Sequence, residues 1–280
     1  ALSDLTPDDR LAAEALRARG VEVTAAVWTD GAVEWGAFDC IVVRSTWDYH
    51  HHAQEFRAWI DALGASGARV WNPVSVLRWN MEKTYLRDLE AAGVPVVPTA
   101  WLTTGTNPDL GALLDERGWD DAIIKPVISA GASRTSRVSH ATMTDAVPQL
   151  AESLALGDVM VQPFIREIQT HGEWSLMFIN GEFSHAVRKM PTSGDFRVQT
   201  QYGGGWTADT PGGDVLDAAR RVVEVAPSPW LYARVDGIET ASGFMLLELE
   251  MLEPSLFLET TPDAVARFVD AIVGRAGESR

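Results

Sequence analysis

The order of elements predicts an α/β (α+β) chain, with a parallel-sheet domain first and two α+β subdomains after it, and three observations carry this reading. Short β-branched runs alternate with amphipathic helices through the first third of the sequence, as in a parallel sheet covered on both faces. Asn72-Pro73 then breaks the rhythm. From Trp174 onward strand-like runs lie close together, two of them joined by the hairpin pair Asn180-Gly181.

Pro7 to Arg19 carries apolar residues at Leu11, Ala12, Ala15 and Leu16, a helical spacing. Val21 to Trp28, Phe38 to Thr46 and Val70 to Trp71 read as strands, with a helix around Glu55 to Leu63 before the last of them. Because the sequence opens on a helix and without Met, a preceding first strand is expected to be missing from it. A helix from about Trp79 to Ala92 stops at Gly93, with Pro95 and Pro98 beyond. Ala122 to Lys125 reads as a strand, Ala146 to Leu156 as a helix and Val159 to Gln162 as a strand. The closely spaced strands are Ser175 to Ile179, Glu182 to Lys189 and Arg197 to Thr200. A helix near Val215 to Val225 precedes a final pair, Leu231 to Asp236 and Phe244 to Glu250, joined at Ser242-Gly243. Domains are accordingly expected at 1–78, 79–158 and 159–280.

A chain of 280 residues with 46% hydrophobic content can bury a sizeable core. Its formal charge of -16 argues against nucleic-acid and anionic-membrane partners, which need a basic face to displace counterions. No run of about 18 apolar residues and no cleavable leader is seen, so a cytoplasmic protein is expected. The lone Cys40 permits no disulfide within the sequence, and its setting in FDCIVV predicts a buried strand residue.

The final strand pair carries the strongest chemical signal. Arg234, Asp236, Glu248 and Glu250 alternate and so share one sheet face, while Val235, Leu247 and Leu249 are assigned to an apolar opposite face. Stacked carboxylates repel and are costly to bury unpaired, so a divalent cation with hard oxygen ligands, Mg²⁺, is expected among them. Lys83 in MEKTYL and Lys125 at the end of AIIK are cations that call for an anion, and Ser129 to Ser133, with Gly131, is a small-residue loop whose amides can close over a polyphosphate. VQPFI followed by HGEWS can offer a flat backbone edge to an adenine and a carboxylate, Glu173, to a ribose. His185, Arg188, Lys189 and Arg197 form a cationic group ahead of Gly203, Gly204 and Gly205, suited to a phosphoryl group in transfer. Arg44 to Tyr49, including Thr46, Trp47, Asp48 and Tyr49, falls beyond a strand's carboxyl end, where ligands sit in parallel sheets. The triplet His50, His51 and His52 is read as loop or substrate-side, since consecutive residues do not readily face one ion.

With these elements in this order the chain resembles the ATP-grasp superfamily, in the branch of bacterial glutathione synthetase, D-alanine–D-alanine ligase and ribosomal-protein glutamate ligase. RSTWDY, RWNMEKTYL, GVPVVPT and GEFSHAVRK look most like the group of D-cycloserine-forming ligases. The resemblance implies ATP and Mg²⁺ as cofactors, a small amino-acid-like substrate and a homodimer or homotetramer. Its chemistry is γ-phosphoryl transfer to a carboxylate, then attack by nitrogen on the acyl phosphate. For the cycloserine group this is ring closure of O-ureido-D-serine with loss of carbamate-derived fragments; the alternatives are a ligase that adds amino acids to a protein or peptide terminus, as the glutamate-adding relatives do, and a non-catalytic nucleotide-binding protein of the same fold. By the same resemblance Lys83 and Lys125 hold phosphates, Gln162 with the backbone of Phe164 and Ile165 meets adenine, and Glu173 meets ribose. Asp236, Glu248 and Glu250 match metal ligands, although the third is often asparagine. Arg197, Arg234 and Lys189 lie near the transferred phosphoryl group, and Gly204, Glu253 and Ser255 on the substrate side.

Overall fold

The computed structural model describes residues 5–277, apart from the Thr200 side chain. In chain order the helices and strands are α1 (Pro7–Ala18), β1 (Cys40–Val42), α2 (Ala53–Ala65), β2 (Arg69–Trp71), α3 (Val74–Asn80), α4 (Tyr85–Ala91), β3 (Ala100–Leu102), α5 (Leu110–Arg117), β4 (Asp121–Pro126), β5 (Ser136–Ser139), α6 (Met143–Leu154), β6 (Val159–Pro163), α7 (Glu167–Thr170), β7 (Glu173–Ile179), β8 (Glu182–Met190), β9 (Gly205–Ala208), α8 (Gly213–Val225), β10 (Tyr232–Thr240), β11 (Gly243–Glu250) and α9 (Pro262–Gly277). They build three sheets: parallel β1-β2, a four-stranded antiparallel sheet β3-β6-β4-β5, and a five-stranded antiparallel sheet β11-β10-β7-β8-β9.

The first sheet is parallel, as the sequence predicts, but it is small. Val21 to Trp28 forms no strand; Val21 and Val27 are exposed, and the Val21 amide bonds back to the Leu16 carbonyl at 3.1 Å rather than to a neighbouring strand. Cys40 lies on β1 but is only half-buried, and burial pushes its thiol up to about 11, far from a nucleophile's range. The single helix expected over Trp79 to Ala92 is two helices, α3 and α4, separated at Met81 to Thr84, where the Lys83 amide turns aside to bond the Val127 carbonyl. β6 pairs with β3 and β4 and so belongs to the four-stranded sheet. Arg197 to Thr200 is not a strand; the edge place beside β8 is taken by β9 instead.

Caps follow local chemistry. Thr6 accepts from the Asp9 amide at 3.2 Å with Pro7 behind it, and Asp109 accepts from Ala112 at 3.0 Å to start α5, which ends on left-handed Gly118.

The five-stranded sheet positions the site. Its first face, with Trp174, Leu176, Val235 and Leu249, packs on α8. Its second face changes character along the strands: Met177, Ile179, Val187 and Tyr232 are covered by α9 and α1, whereas beyond them Glu173, Ser175, Lys189 and Asp236 continue the same face as a polar floor. Asn72, wholly buried, joins β2 to this sheet: its Oδ1 accepts from Leu231 (2.6 Å), and its Nδ2 donates to the Tyr232 (2.8 Å) and Met251 (2.7 Å) carbonyls.

Candidate active site

A cavity of about 830 Å³ lies between the four-stranded and five-stranded sheets, reaching the loop after β1. Lys83, Lys125, Ser129, Gly131, Gln162, Phe164, Ile165, Glu173 and Lys189 all border it, as do Arg197, Arg234, Asp236, Glu248, Glu250, Glu253, Ser255, Trp47 and Tyr49. Thr46, Asp48 and Gly204 do not. The Asp48 carboxylate turns away to accept from Trp28 Nε1 (2.9 Å), and Gly204 sits so close under Val198 that a Cβ there would lie 2.2 Å from its carbonyl oxygen. Thr46 Oγ1 is buried outside the cavity lining.

Pairing in register sets the acids. Asp236 is opposite Glu248, and Arg234 is opposite Glu250. Arg234 donates to Asp236 (2.7 Å) and to Glu250, and its Nη1 reaches the Ser255 carbonyl at 3.0 Å. Ser175 Oγ donates to Asp236 at 2.5 Å, and Lys189 binds Glu173 and lies 3.5 Å from Asp236. Lys83 bridges Glu248 (2.9 Å) and the Ser129 carbonyl (2.7 Å), which ties the glycine-containing loop to the acids.

The charges are unevenly balanced. Against burial, Arg234 and Lys189 hold the Asp236 carboxyl below its usual range, and Lys83 with Lys125 does the same for Glu248. Burial, with Glu248 and Asp236 beside it, pushes Glu250 up to about 8, and burial raises Glu253 to about 7. Burial likewise pulls the Lys125 ammonium down. A cavity floor with this excess of negative charge has room for more positive charge than the protein supplies.

Among the described residues no three His, Cys, Asp or Glu side chains converge on one point that could hold an ion by themselves. Mg²⁺ does not require that: it binds through one or two carboxylates while water and phosphate oxygens complete its shell. The opposed oxygens of Asp236 and Glu248, with Glu250 two residues on, fit such an ion in donor type and in charge.

A bulge between Asp236 and Gly237 shifts the register so that Asp236 faces Glu248 while Gly237 faces Leu246. The residue left over is Leu247, which lines the cavity instead of joining Leu249 on the opposite face as the alternation predicts. With Val97, Ile123, Ile168 and Ile238 it gives the cavity an apolar wall near Gln162 and Phe164. The Phe164 amide is taken by the Asp121 carbonyl (2.9 Å), and Gln162 Nε2 donates to Thr99 (2.9 Å).

The cationic group expected around β8 divides. Lys189 reaches the floor, but Arg188, on the other face, stacks on Trp174 at 3.6 Å and pairs with Asp209 (2.8 Å). His185 is buried with Nε2 donating to the Leu256 carbonyl (2.7 Å). Arg197 grips Asp195 (2.8 Å) and stacks on Tyr202, and Gln201 of the same loop donates to the Gly131 carbonyl (2.7 Å). His50 and His51 border the cavity with ring centroids 3.9 Å apart and planes tilted by 41°, and His52 does not border it.

Residues not singled out from sequence complete the frame. Asn80 donates to Leu249 and accepts from Met251 (2.7 and 2.6 Å), and Tyr85 Oη accepts from Leu249 (3.0 Å), so α3 and α4 fix β11 behind its acids. Asp8 accepts from the amides of Leu256, Phe257 and Leu258 at 2.6, 2.9 and 2.6 Å. None of the three carries a local signal, because the groups they bind are supplied by segments far away in the sequence.

Two antiparallel sheets closing on a cavity with lysines on one side and sheet-borne acids on the other define an ATP-grasp protein. Residues 1–72 match the model of the D-cycloserine synthetase DcsG N-terminal domain, and residues 89–224 that of the prokaryotic glutathione synthetase ATP-grasp domain. Cycloserine biosynthesis protein DcsG of Streptomyces lavendulae is 32% identical over 94% of this chain and 91% of its own length. Glutathione synthetase of Neisseria meningitidis serogroup B is 26% identical over 84% of this chain and 72% of its own. The crystal structure of D-cycloserine synthetase DcsG superposes with a TM-score of 0.87 at 29% identity, covering 95% of this chain and 93% of that one. The chain belongs to the ATP-grasp ligase family, closely related to DcsG, and is an ADP-forming carbon–nitrogen ligase. Among the described residues no helix is long and apolar enough to cross a membrane.

Proposed function

We propose that this ligase activates the carboxylate of a small amino-acid-like substrate and closes a ring by attack of a nitrogen in the same molecule, converting O-ureido-D-serine to D-cycloserine in the cytoplasm. The observation that carries the reading is the joining of the DcsG-like chain to a cavity whose floor presents Arg234, Asp236, Glu248 and Glu250 beside Lys83, Lys125 and Lys189.

The adenine lies against the apolar wall of Leu247, Ile238 and Ile168, beside Gln162 and the Phe164–Ile165 backbone, with Glu173 toward the ribose. Lys83 and Lys125 hold the phosphates under the loop from Ser129 to Ser133. Asp236, Glu248 and Glu250 would hold Mg²⁺, which when bound neutralises the phosphate charge and orients the γ-phosphoryl group. Arg234, Lys189 and Arg197 meet the developing charge as the substrate carboxylate oxygen takes that group. The nitrogen then bonds to the carbonyl carbon as the carbon–oxygen bond to phosphate breaks and inorganic phosphate leaves; water next cleaves the carbamoyl group from that ring nitrogen, releasing it as carbon dioxide and ammonia and leaving the N–H of the free ring. Trp47, Tyr49, Glu253 and Ser255 border the end where the substrate lies, and enclosure there keeps water from the acyl phosphate.

The test is ADP release with Mg²⁺, ATP and O-ureido-D-serine, followed by mass analysis of the product. ADP formation with a product of cycloserine mass is expected; ADP formation only with other carboxylates, or an intermolecular amide as product, overturns the ring-closing reading.

A further inference from the structure

Seven carboxylates border the cavity, and nearly all have a partner. Asp8 holds three amides, Glu173 has Lys189, Asp236 has Arg234 and Ser175, Glu248 has Lys83, and Glu250 has Arg234. Glu259 is less buried and shares a hydrogen bond with Asp8. Glu253 is different. It is 7% exposed, and among the described residues no cation and no other side chain bonds its carboxylate, which has only its own amide.

The charges of Lys83 and Arg234 reach it, but their hydrogen bonds go elsewhere, to Glu248 and Ser129, and to Asp236, Glu250 and the Ser255 carbonyl. The residue is nevertheless held in place, because Trp47 Nε1 donates to its carbonyl at 2.9 Å. A buried, fixed, unpaired carboxylate is costly unless a ligand supplies the countercharge. Arg234, bonded to Ser255 two residues on, sets an anion-binding guanidinium beside the same turn.

We infer that Glu253 is the seat of a substrate ammonium group, so that the carboxylate substrate is an amino acid held at both charged ends, its carboxylate toward Arg234 and its ammonium on Glu253. This rests on the ligase reading above and sharpens it. A carboxylic acid of the same length without the amine would leave Glu253 buried and unpaired, which is the kind of mismatch that sites reject most strongly.

The test compares O-ureido-D-serine with 3-(ureidooxy)propanoate, its des-amino counterpart, by calorimetric binding in the presence of a non-hydrolysable ATP analogue and by ADP release. The wild type is expected to favour the ammonium-bearing compound by about 100-fold, the loss that follows from stranding one partner of a buried charge pair. Glu253→Gln should reduce the preference below about 5-fold with unchanged binding of the ATP analogue, and Glu253→Asp should restore part of it. The wild-type comparison stands even where a variant does not fold. Equal binding of the two compounds, an unchanged preference in Glu253→Gln, or no binding of either with D-serine against 3-hydroxypropanoate as second pair, overturns the assignment. Discrimination in binding without ADP release from either compound upholds the ammonium seat and refutes the reading of O-ureido-D-serine as substrate. ADP release from both with equal kcat/KM refutes the seat alone.

Discussion

Asp236 on β10 and Glu248 on β11 are directly opposed cross-strand partners, and they tolerate each other because each has its own cation, Arg234 for the first and Lys83 for the second. Like charges at such a position otherwise destabilise a sheet. Arg234 and Lys83 therefore act as stand-ins for charge that the reaction supplies. Asp236→Asn and Glu248→Gln should each lower kcat by about 10²- to 10³-fold, read as ADP release under saturating ATP, while circular dichroism stays unchanged.

Lys83 binds both Glu248 and the Ser129 carbonyl, so it links the acids to the loop over the phosphates. Lys83→Met is expected to raise the KM for ATP by about 30-fold or more, as for a truncated buried charge partner. A titration of ADP release against ATP concentration checks this.

Asn72 serves four buried backbone groups on Leu231, Tyr232 and Met251. Asn72→Ala leaves them unpaired and should cost about 3 kcal/mol of stability, seen as a lower urea midpoint.

His185 is buried and its imidazole pKa is lowered from 6.5, chiefly by burial, so the folded protein holds it neutral. The unfolded chain binds a proton near 6.5 that the folded one refuses. Its contribution is complete above about 6.5 and is lost as pH falls from there toward the lower folded value. The unfolding free energy measured in urea between pH 5 and 7 should fall with acid, and His185→Gln should flatten that slope.

Gly237 follows the bulge, and a Cβ there would lie 2.1 Å from Phe244 Cζ. Gly237→Ala should destabilise by about 2 kcal/mol and move Leu247, which differential scanning calorimetry with and without ATP reports as a reduced nucleotide-induced rise in Tm.

Alternation was enough to read Arg234, Asp236, Glu248 and Glu250 onto one face, because a strand's period depends on nothing distant. It failed at Leu247, since the bulge beside Gly237 breaks the alternation, and that glycine, the local mark of such a break, lies just past the strand end read from the sequence at Asp236. Val21 to Trp28 has the composition of a strand but no partner, and composition does not report partners. β9 is only four residues long and follows Gly203 and Gly204, too short a run to stand out as a strand until β8 offers it an edge. Asp8, Asn72 and Asn80 were silent for the same reason: their partners lie 159 or more residues away.

The loop from Leu256 to Leu258 hangs from Asp8 by its main chain alone. Nothing in that attachment depends on which side chains the loop carries. The side chains of Leu256 and Leu258 are nevertheless wholly buried in the core, so the position free to vary is Phe257, which borders the cavity and is where related enzymes can diverge in what they accept while the ATP machinery stays fixed.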